Sequence, residues 1–196
     1  MGRWEPHARE RLVRAALELF TEQGYEKTTV VEIAERARLT KSTFFRHFPD
    51  KREVLFAGQD VLAQLLSDGV ADAPGSATPF EMLAAALEAV AGAFPEERRS
   101  FGPRLRAVIG GNPELQERNA QKSARLGAAI EDGLARRGLP EVTAGLAAQL
   151  GTFVLGRAYA EWSDPDCAKP FIEIARHELR AVRAAVDTLD TEFVLP

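Results

Sequence analysis

The sequence predicts an all-α chain of about nine helices, because apolar residues recur at intervals of three and four along nearly all of it. Two further observations agree: alternating Val/Ile/Thr runs of strand character are absent, and Pro103, Pro113 and Pro140 stand where first-turn prolines would. With 196 residues, 45% of them hydrophobic and 28% charged, the chain can bury a core without disulfides or metals and lacks the composition of a disordered segment.

The first helix is predicted over residues 6–23. Leu12, Ala15, Ala16, Leu19 and Phe20 form one apolar stripe, and Gly24 ends it. A second opens at Thr28 or Thr29. Glu32, three residues beyond Thr29, completes a capping box, and Val30, Ile33, Ala34 and Ala37 supply the buried face. Arg38 and Leu39 make a tight connection. Thr40 then caps a short third helix, residues 41–47, ended by Phe48, Pro49 and Asp50. A fourth is expected from near Lys51 to about Ser67, carrying Val54, Leu55, Val61, Leu62, Leu65 and Leu66. The stretch ADAPGSATP, residues 71–79, is the clearest break. The expected organisation is a helix-turn-helix domain over 1–50, extending to about 67 with the connecting helix, and a second helical domain over 51–196. Beyond the break, helices are expected over 80–94, 103–109, 113–137, 140–162 and 169–189.

Charge locates a segment of interest. The whole chain carries a formal charge of -4, which by itself disfavours a polyanionic partner. Residues 1–56, however, hold eleven Lys/Arg against nine Asp/Glu, and the remainder holds fourteen against twenty. From Arg36 to Arg52 the cations Arg36, Arg38, Lys41, Arg46, Lys51 and Arg52 face one acid, Asp50, giving a local charge of +5. The same segment has the pattern of a helix-turn-helix: two short helices, a turn of three to four residues, and hydroxyl, basic and aromatic side chains on the second helix. Leu39, Phe44 and Phe48 fall on its inner face, leaving Lys41, Ser42, Phe45, Arg46 and His47 outside. Small hydroxyls and cations on an outward helix face suit a DNA major groove, and an exposed ring at Phe45 is not what a merely solvated face needs.

On these residues the stretch GYEKTTVVEIAERARLTKSTFFRHFPDKREVLFA, residues 24–57, resembles the DNA-binding region of TetR-family transcriptional regulators, preceded by a matching first helix, AALELFTEQGY. The resemblance covers roughly residues 9–67. It implies a homodimer that binds a palindromic DNA operator through its third helices, with a C-terminal domain that dimerises and binds a small effector. In that light Thr29 and Thr40 are helix-start hydroxyls near phosphates. Lys41, Ser42 and Thr43 open the groove-facing helix, Phe45, Arg46 and His47 continue it, and Lys51 matches a phosphate-anchoring lysine. The chain departs from the family in two places. Phe45 stands where Tyr is common and lacks its phenol, and Arg38 stands where Gly is common, at the price of strain if the backbone there is left-handed.

For the second domain the expectations are looser. Leu150, Phe153 and Val154 on one long helix and Phe171, Ile174 and Leu179 on the last are expected at a dimer interface. Met82, Phe94, Phe101, Arg104, Tyr159 and Trp162 are expected around an effector pocket of apolar walls and few polar groups. Gly145, Gly151 and Gly156 would let another helix approach or would line a cavity. Glu173 and His177, with Asp164, Asp166 and Cys167 upstream, can be drawn as a metal or acid-base cluster, but Asp-Pro-Asp is the composition of a turn and the Glu/His spacing is that of a surface pair. No phosphate-cradling glycine loop or nucleophile elbow is present, so no catalytic site, metal or cofactor is expected. The lone Cys167 excludes an internal disulfide. The N-terminal residues lack a signal-peptide core, and the apolar run 146–155 is too short to cross a bilayer, so a soluble cytoplasmic protein is expected. The function expected is a DNA-binding regulator, a repressor released by a small molecule. The alternatives are a helical ligand- or protein-binding module without DNA binding, or a small helical enzyme.

Overall fold

A computed structural model describes residues 7–192, so the helix start expected at Pro6 lies outside the described residues. Nine α-helices are found among them: α1 (Ala8–Gln23), α2 (Val30–Arg36), α3 (Lys41–His47), α4 (Gln59–Asp72), α5 (Pro79–Ala91), α6 (Phe101–Gly110), α7 (Pro113–Arg136), α8 (Glu141–Trp162) and α9 (Phe171–Glu192), with a 3-10 turn at Glu96–Arg98. The chain divides into two compact units. The first is Met1–Gly58 with Pro103–Ala120, and the second is Gln59–Gly102 with Gln121–Pro196.

In the first unit, Leu12 and Phe20 of α1, Ile33 of α2, Phe44 of α3, Phe48 and Val54 are buried, and Phe44 and Phe48 touch ring to ring. The capping box expected at α2 is present. Glu32 N–H donates to the Thr29 hydroxyl at 3.2 Å, and Glu32 accepts from Thr29 N–H at 2.7 Å. Such a cap is worth about 1 kcal/mol. Thr40 caps α3 in the same way, accepting from Thr43 N–H at 3.1 Å.

The fourth helix begins at Gln59 rather than near Lys51. Residues 51–58 form successive turns, with Leu55 and Phe56 N–H bonded three residues back to Arg52 and Glu53. Val54, Leu55 and Phe56 are all buried, which one stripe of a surface helix cannot achieve for three neighbours, and Gly58 at φ +97° then turns the chain. Residues far along the sequence complete this unit. Arg118 pairs with Glu53, Glu114 pairs with Arg52 at 2.5 Å, Asn112 donates to Glu26 at 2.7 Å, and Leu115 is fully buried.

In the second unit, α5 starts with a capping box between Thr78 and Glu81, which the expected helix start at Phe80 does not include. Gly69 of α4 lies against α5 so closely that a Cβ there would sit 2.7 Å from the Ala85 carbonyl oxygen and the Ala86 Cα. A Cβ at Gly151 of α8 would lie 2.9 Å from Leu83 and 3.2 Å from Ile130, so this glycine serves core packing, whereas a Cβ at Gly156 would meet open space. Arg137, just past α7, donates to the carbonyls of Val70, Ala71, Ala73 and Pro74, covering acceptors that the end of α4 leaves open. Arg99 does the same for the α8–α9 connection, donating to the carbonyls of Trp162, Cys167 and Lys169 while pairing with Glu96. Between α8 and α9, Arg157 hydrogen-bonds the buried Glu178 carboxylate with both Nε and Nη2. Those bonds hold the Glu178 carboxyl below its ordinary value of 4.5.

Gly69→Ala is expected to destabilise the protein by about 1–3 kcal/mol, because backbone rather than a pliable side chain must move. A lower urea midpoint at unchanged m-value checks it. Arg157→Ala, which strands a buried carboxylate, is expected to cost about 1–3 kcal/mol at pH 7. Because the folded Glu178 pKa is depressed, its contribution is complete above about pH 4.5 and fades as pH falls through the folded value. The stability gap between wild type and Arg157→Ala should therefore narrow on acidification, as read from unfolding curves at a series of pH values.

Candidate nucleic-acid interface

The outward side of α3 follows from the burial of Phe44. With that ring enclosed, Lys41, Ser42, Phe45 and Arg46 are exposed, and Phe45 keeps 47% of its surface in solvent. Its ring sits edge-on to Phe44 at 5.5 Å, and the Lys41 ammonium lies 5.9 Å from its face. Thr43 and His47 are half-buried. The His47 Nε2 is enclosed and without a hydrogen-bond partner, and burial, then the charges of Arg46 and Arg9, push its pKa down, which favours the neutral ring.

The other expected residues are engaged within the fold. The Thr29 hydroxyl bonds Glu32 as donor and acceptor, and the Thr40 hydroxyl bonds the Thr43 amide and hydroxyl. Lys51 points its ammonium at the carbonyls of Tyr25, Thr28 and Glu26, at 2.9, 3.2 and 3.4 Å, and covers the Tyr25 ring at 4.2 Å. Burial, chiefly, raises the Tyr25 phenol to about 12, so it stays protonated at neutral pH.

The +5 of the segment is thereby redistributed. Arg36 makes a two-pronged pair with Glu22 and a longer one with Glu18, and Arg52 pairs with Asp50 and Glu114. Arg38, Lys41 and Arg46 are left exposed with no acid in salt-bridge range among the described residues. Two basic residues outside the segment belong to its surroundings. Arg9 of α1 lies over the Phe48 ring at 5.3 Å and acts electrostatically on His47, and Arg11 donates to the carbonyls of Ala37 and Arg38. Neither could be found from the segment's own pattern, since both reach it from another helix. The turn is left-handed at Arg38, φ +55°, as the departure from glycine suggested, and costs roughly 1 kcal/mol for a residue with a Cβ.

In the second unit, Phe94, Tyr159 and Trp162 are brought together, joined by Phe171, which stacks on Phe94 at a centroid distance of 4.1 Å. A cavity of about 250 Å³ lies against Phe94, Trp162, Phe171 and Glu96. Met82 is buried in the same core, Phe101 is half-buried, and Arg104 is exposed and belongs to the first unit. Val154, Phe171, Ile174 and Leu179, expected at a dimer interface, lie in the core of the second unit, while Leu150 is half-buried and Phe153 is 56% exposed. A second, polar groove of about 410 Å³ between α4 and α7 is lined by Asp60, Gln64, Ser67, Arg125, Asp132 and Arg136. Asp164 and Asp166 shape a turn, the first accepting from the second's N–H at 2.9 Å, and no group of three or more metal-ligating side chains occurs among the described residues. No helix among them is long and apolar enough to cross a membrane.

Residues 12–57 match the family described as bacterial regulatory proteins, tetR family. The HTH-type transcriptional regulator TcmR of Streptomyces glaucescens is 39% identical over 84 residues, 43% of this chain and 37% of that protein. The HTH-type transcriptional regulator HbdR of an Aromatoleum strain is 40% identical over 48 residues, 24% of this chain and 21% of that one. The chain thus spans well under half the length of these curated relatives. Among solved structures, the TetR family transcriptional regulator PfmR of Thermus thermophilus aligns over 88% of this chain and 96% of its own, with 28% identity and a TM-score of 0.51. A transcriptional regulator of Aquifex aeolicus shares the fold over 91% of this chain and 99% of its own, with a TM-score of 0.54 at 18% identity. Residues 12–57, which hold the helix-turn-helix, thus match the tetR family of bacterial regulatory proteins, and the chain shares its fold with PfmR along most of its length.

Proposed function

We propose that the protein is a sequence-specific DNA-binding transcriptional regulator, a repressor of nearby genes released by a small-molecule effector. The observation that carries this is the outward face of α3, where Lys41, Ser42, Phe45 and Arg46 are exposed with no acid paired to the two cations among the described residues, while Arg36, Lys51 and Arg52 of the same segment are engaged by partners within the chain. A short exposed row of cation, hydroxyl and ring fits a major groove: Lys or Arg reaches guanine, Ser reaches phosphate or base edge, and Phe meets a thymine methyl. Thr43 and His47 border that row, Thr29, Thr40 and Lys51 sit at helix starts or turns beside the backbone, and residues 1–50 act as the DNA-binding domain.

Residues 51–196, apart from residues 51–58 and 103–120 that pack in the first unit, then act as the effector and dimerisation domain. The exposed apolar residues Val142, Leu146 and Phe153, with half-buried Leu150, follow one side of α8 at spacings of three and four, as a seam for a second copy does. A homodimer presents two third helices to the halves of a palindromic operator, about 34 Å or a multiple of it apart. The aromatic cavity at Phe94, Trp162 and Phe171, with Tyr159 beside it, is the candidate effector site.

Selection of bound duplexes from random sequence with the full chain tests the proposal, and enrichment of no sequence would sink it. On the selected site, Lys41→Ala and Ser42→Ala are expected to weaken binding and relax base preference, each by about 1–3 kcal/mol of discrimination for a direct base contact. Lys51→Ala, which uncovers the carbonyls of Tyr25, Glu26 and Thr28, is expected to lower the melting midpoint and to leave the salt slope nearly unchanged. Phe153→Glu is expected to convert the dimer to monomer in sedimentation while leaving helix content intact.

A further inference from the structure

The end of α2 has the hydrogen bonds of a Schellman motif. Arg38 N–H bonds the Glu35 carbonyl and Leu39 N–H bonds the Ala34 carbonyl, both at 2.8 Å. The motif requires a left-handed residue at its centre, and glycine supplies that without strain. This chain instead places a long cationic side chain there, at φ +55°. Strained backbone of this kind persists where the surrounding structure over-determines it, and here Arg11 of α1 does so by donating to the carbonyls on either side of the Arg38 nitrogen and carbon, those of Ala37 and Arg38.

The Arg38 side chain itself is exposed. Its two arginine neighbours in the segment are locked, Arg36 to Glu22 and Arg52 to Asp50, whereas Arg38 has no acid in salt-bridge range among the described residues. Two residues further on, Thr40 starts α3, so the Arg38 guanidinium is carried at the entrance of the groove-facing helix. A guanidinium there has the planar fork that matches a phosphate, which an unstrained glycine would forgo.

We infer that Arg38 is a DNA-contacting residue that grips the phosphate backbone beside the groove entered by α3, and that Arg11 is the positioning residue that fixes its turn. The inference rests on the DNA-binding reading of α3. The test uses the full chain, a selected duplex and an unrelated duplex, with binding followed by fluorescence anisotropy across a salt series. Arg38→Gly and Arg38→Asn accept the left-handed backbone and remove the charge. They are expected to weaken both duplexes several-fold and to lower the salt slope by about 0.9 for each protomer bound. Arg38→Lys should keep most of that slope. Arg38→Gly should also raise the melting midpoint, by about 2–4 °C for a chain of this size, so weaker binding cannot be put down to misfolding.

Arg11→Met is expected to weaken binding when Arg38 is present and to have little further effect when combined with Arg38→Gly, the non-additivity of coupled residues. Unchanged slopes for Arg38→Gly and Arg38→Asn, or weakening confined to the selected duplex, would overturn the phosphate contact. Equal weakening by Arg11→Met with and without Arg38→Gly would overturn the positioning role. If the wild-type chain binds neither duplex, the DNA-binding reading fails first and this inference falls with it.

Discussion

The first unit depends on the left-handed turn between α2 and α3. Given that turn, Phe44 and Phe48 enter the core formed with Leu12, Phe20 and Ile33, and Lys41, Ser42, Phe45 and Arg46 must face outward. A right-handed continuation of α2 would keep the chain on one axis and carry Phe44 about 16 Å beyond Ile33, so the two could not share a core. The turn is secured from three directions: the Schellman bonds at the end of α2, the Thr40 cap that starts α3, and the Arg11 guanidinium reaching over from α1. Each is a hydrogen bond to a backbone group that helix termini leave open, and a buried open group costs more than the bond itself returns.

Covering open carbonyls is what basic side chains do repeatedly in this protein. Lys51 serves the α1–α2 loop, Arg137 the end of α4, and Arg99 the α8–α9 connection. A cation suits the carboxyl end of a helix because the helix dipole places negative partial charge there. Charge counted along the sequence therefore overstates what is available to a polyanion. Of the six cations from Arg36 to Arg52, three are engaged by partners within the chain and three, Arg38, Lys41 and Arg46, have no acid in salt-bridge range among the described residues.

The second unit is organised by small residues and rings rather than by charge. Gly69 brings α4 onto α5, Gly151 admits Leu83 and Ile130, and Phe94, Tyr159, Trp162 and Phe171 close one end of the core. Close approach of helix backbones at glycine gains dispersion contacts that a Cβ would block. The same packing takes Val154, Ile174 and Leu179 inward and leaves Val142, Leu146 and Phe153 in solvent, so the apolar surplus of α8 lies on a side that the core of the second unit does not cover.

The sequence by itself determined what short-range physics determines. Helix stripes, the Thr29–Glu32 box, the Thr40 cap and the inward pair Phe44 and Phe48 are settled within a few residues, by periodicity and by hydrogen bonds between near neighbours. The helix-turn-helix and its outward residues were legible for that reason, and so was the risk of strain at Arg38. Tertiary structure alone decided the long-range choices. It turned residues 51–58 out of a helix because three consecutive apolar side chains could all be buried, and it brought residues 103–120 to the N-terminal unit through Glu53, Arg52 and Glu26. It also selected which cations bind carbonyls and which apolar faces of α8 and α9 turn inward. An apolar stripe or a lysine has many energetically similar partners along a chain, and only the simultaneous packing of all the helices distinguishes among them.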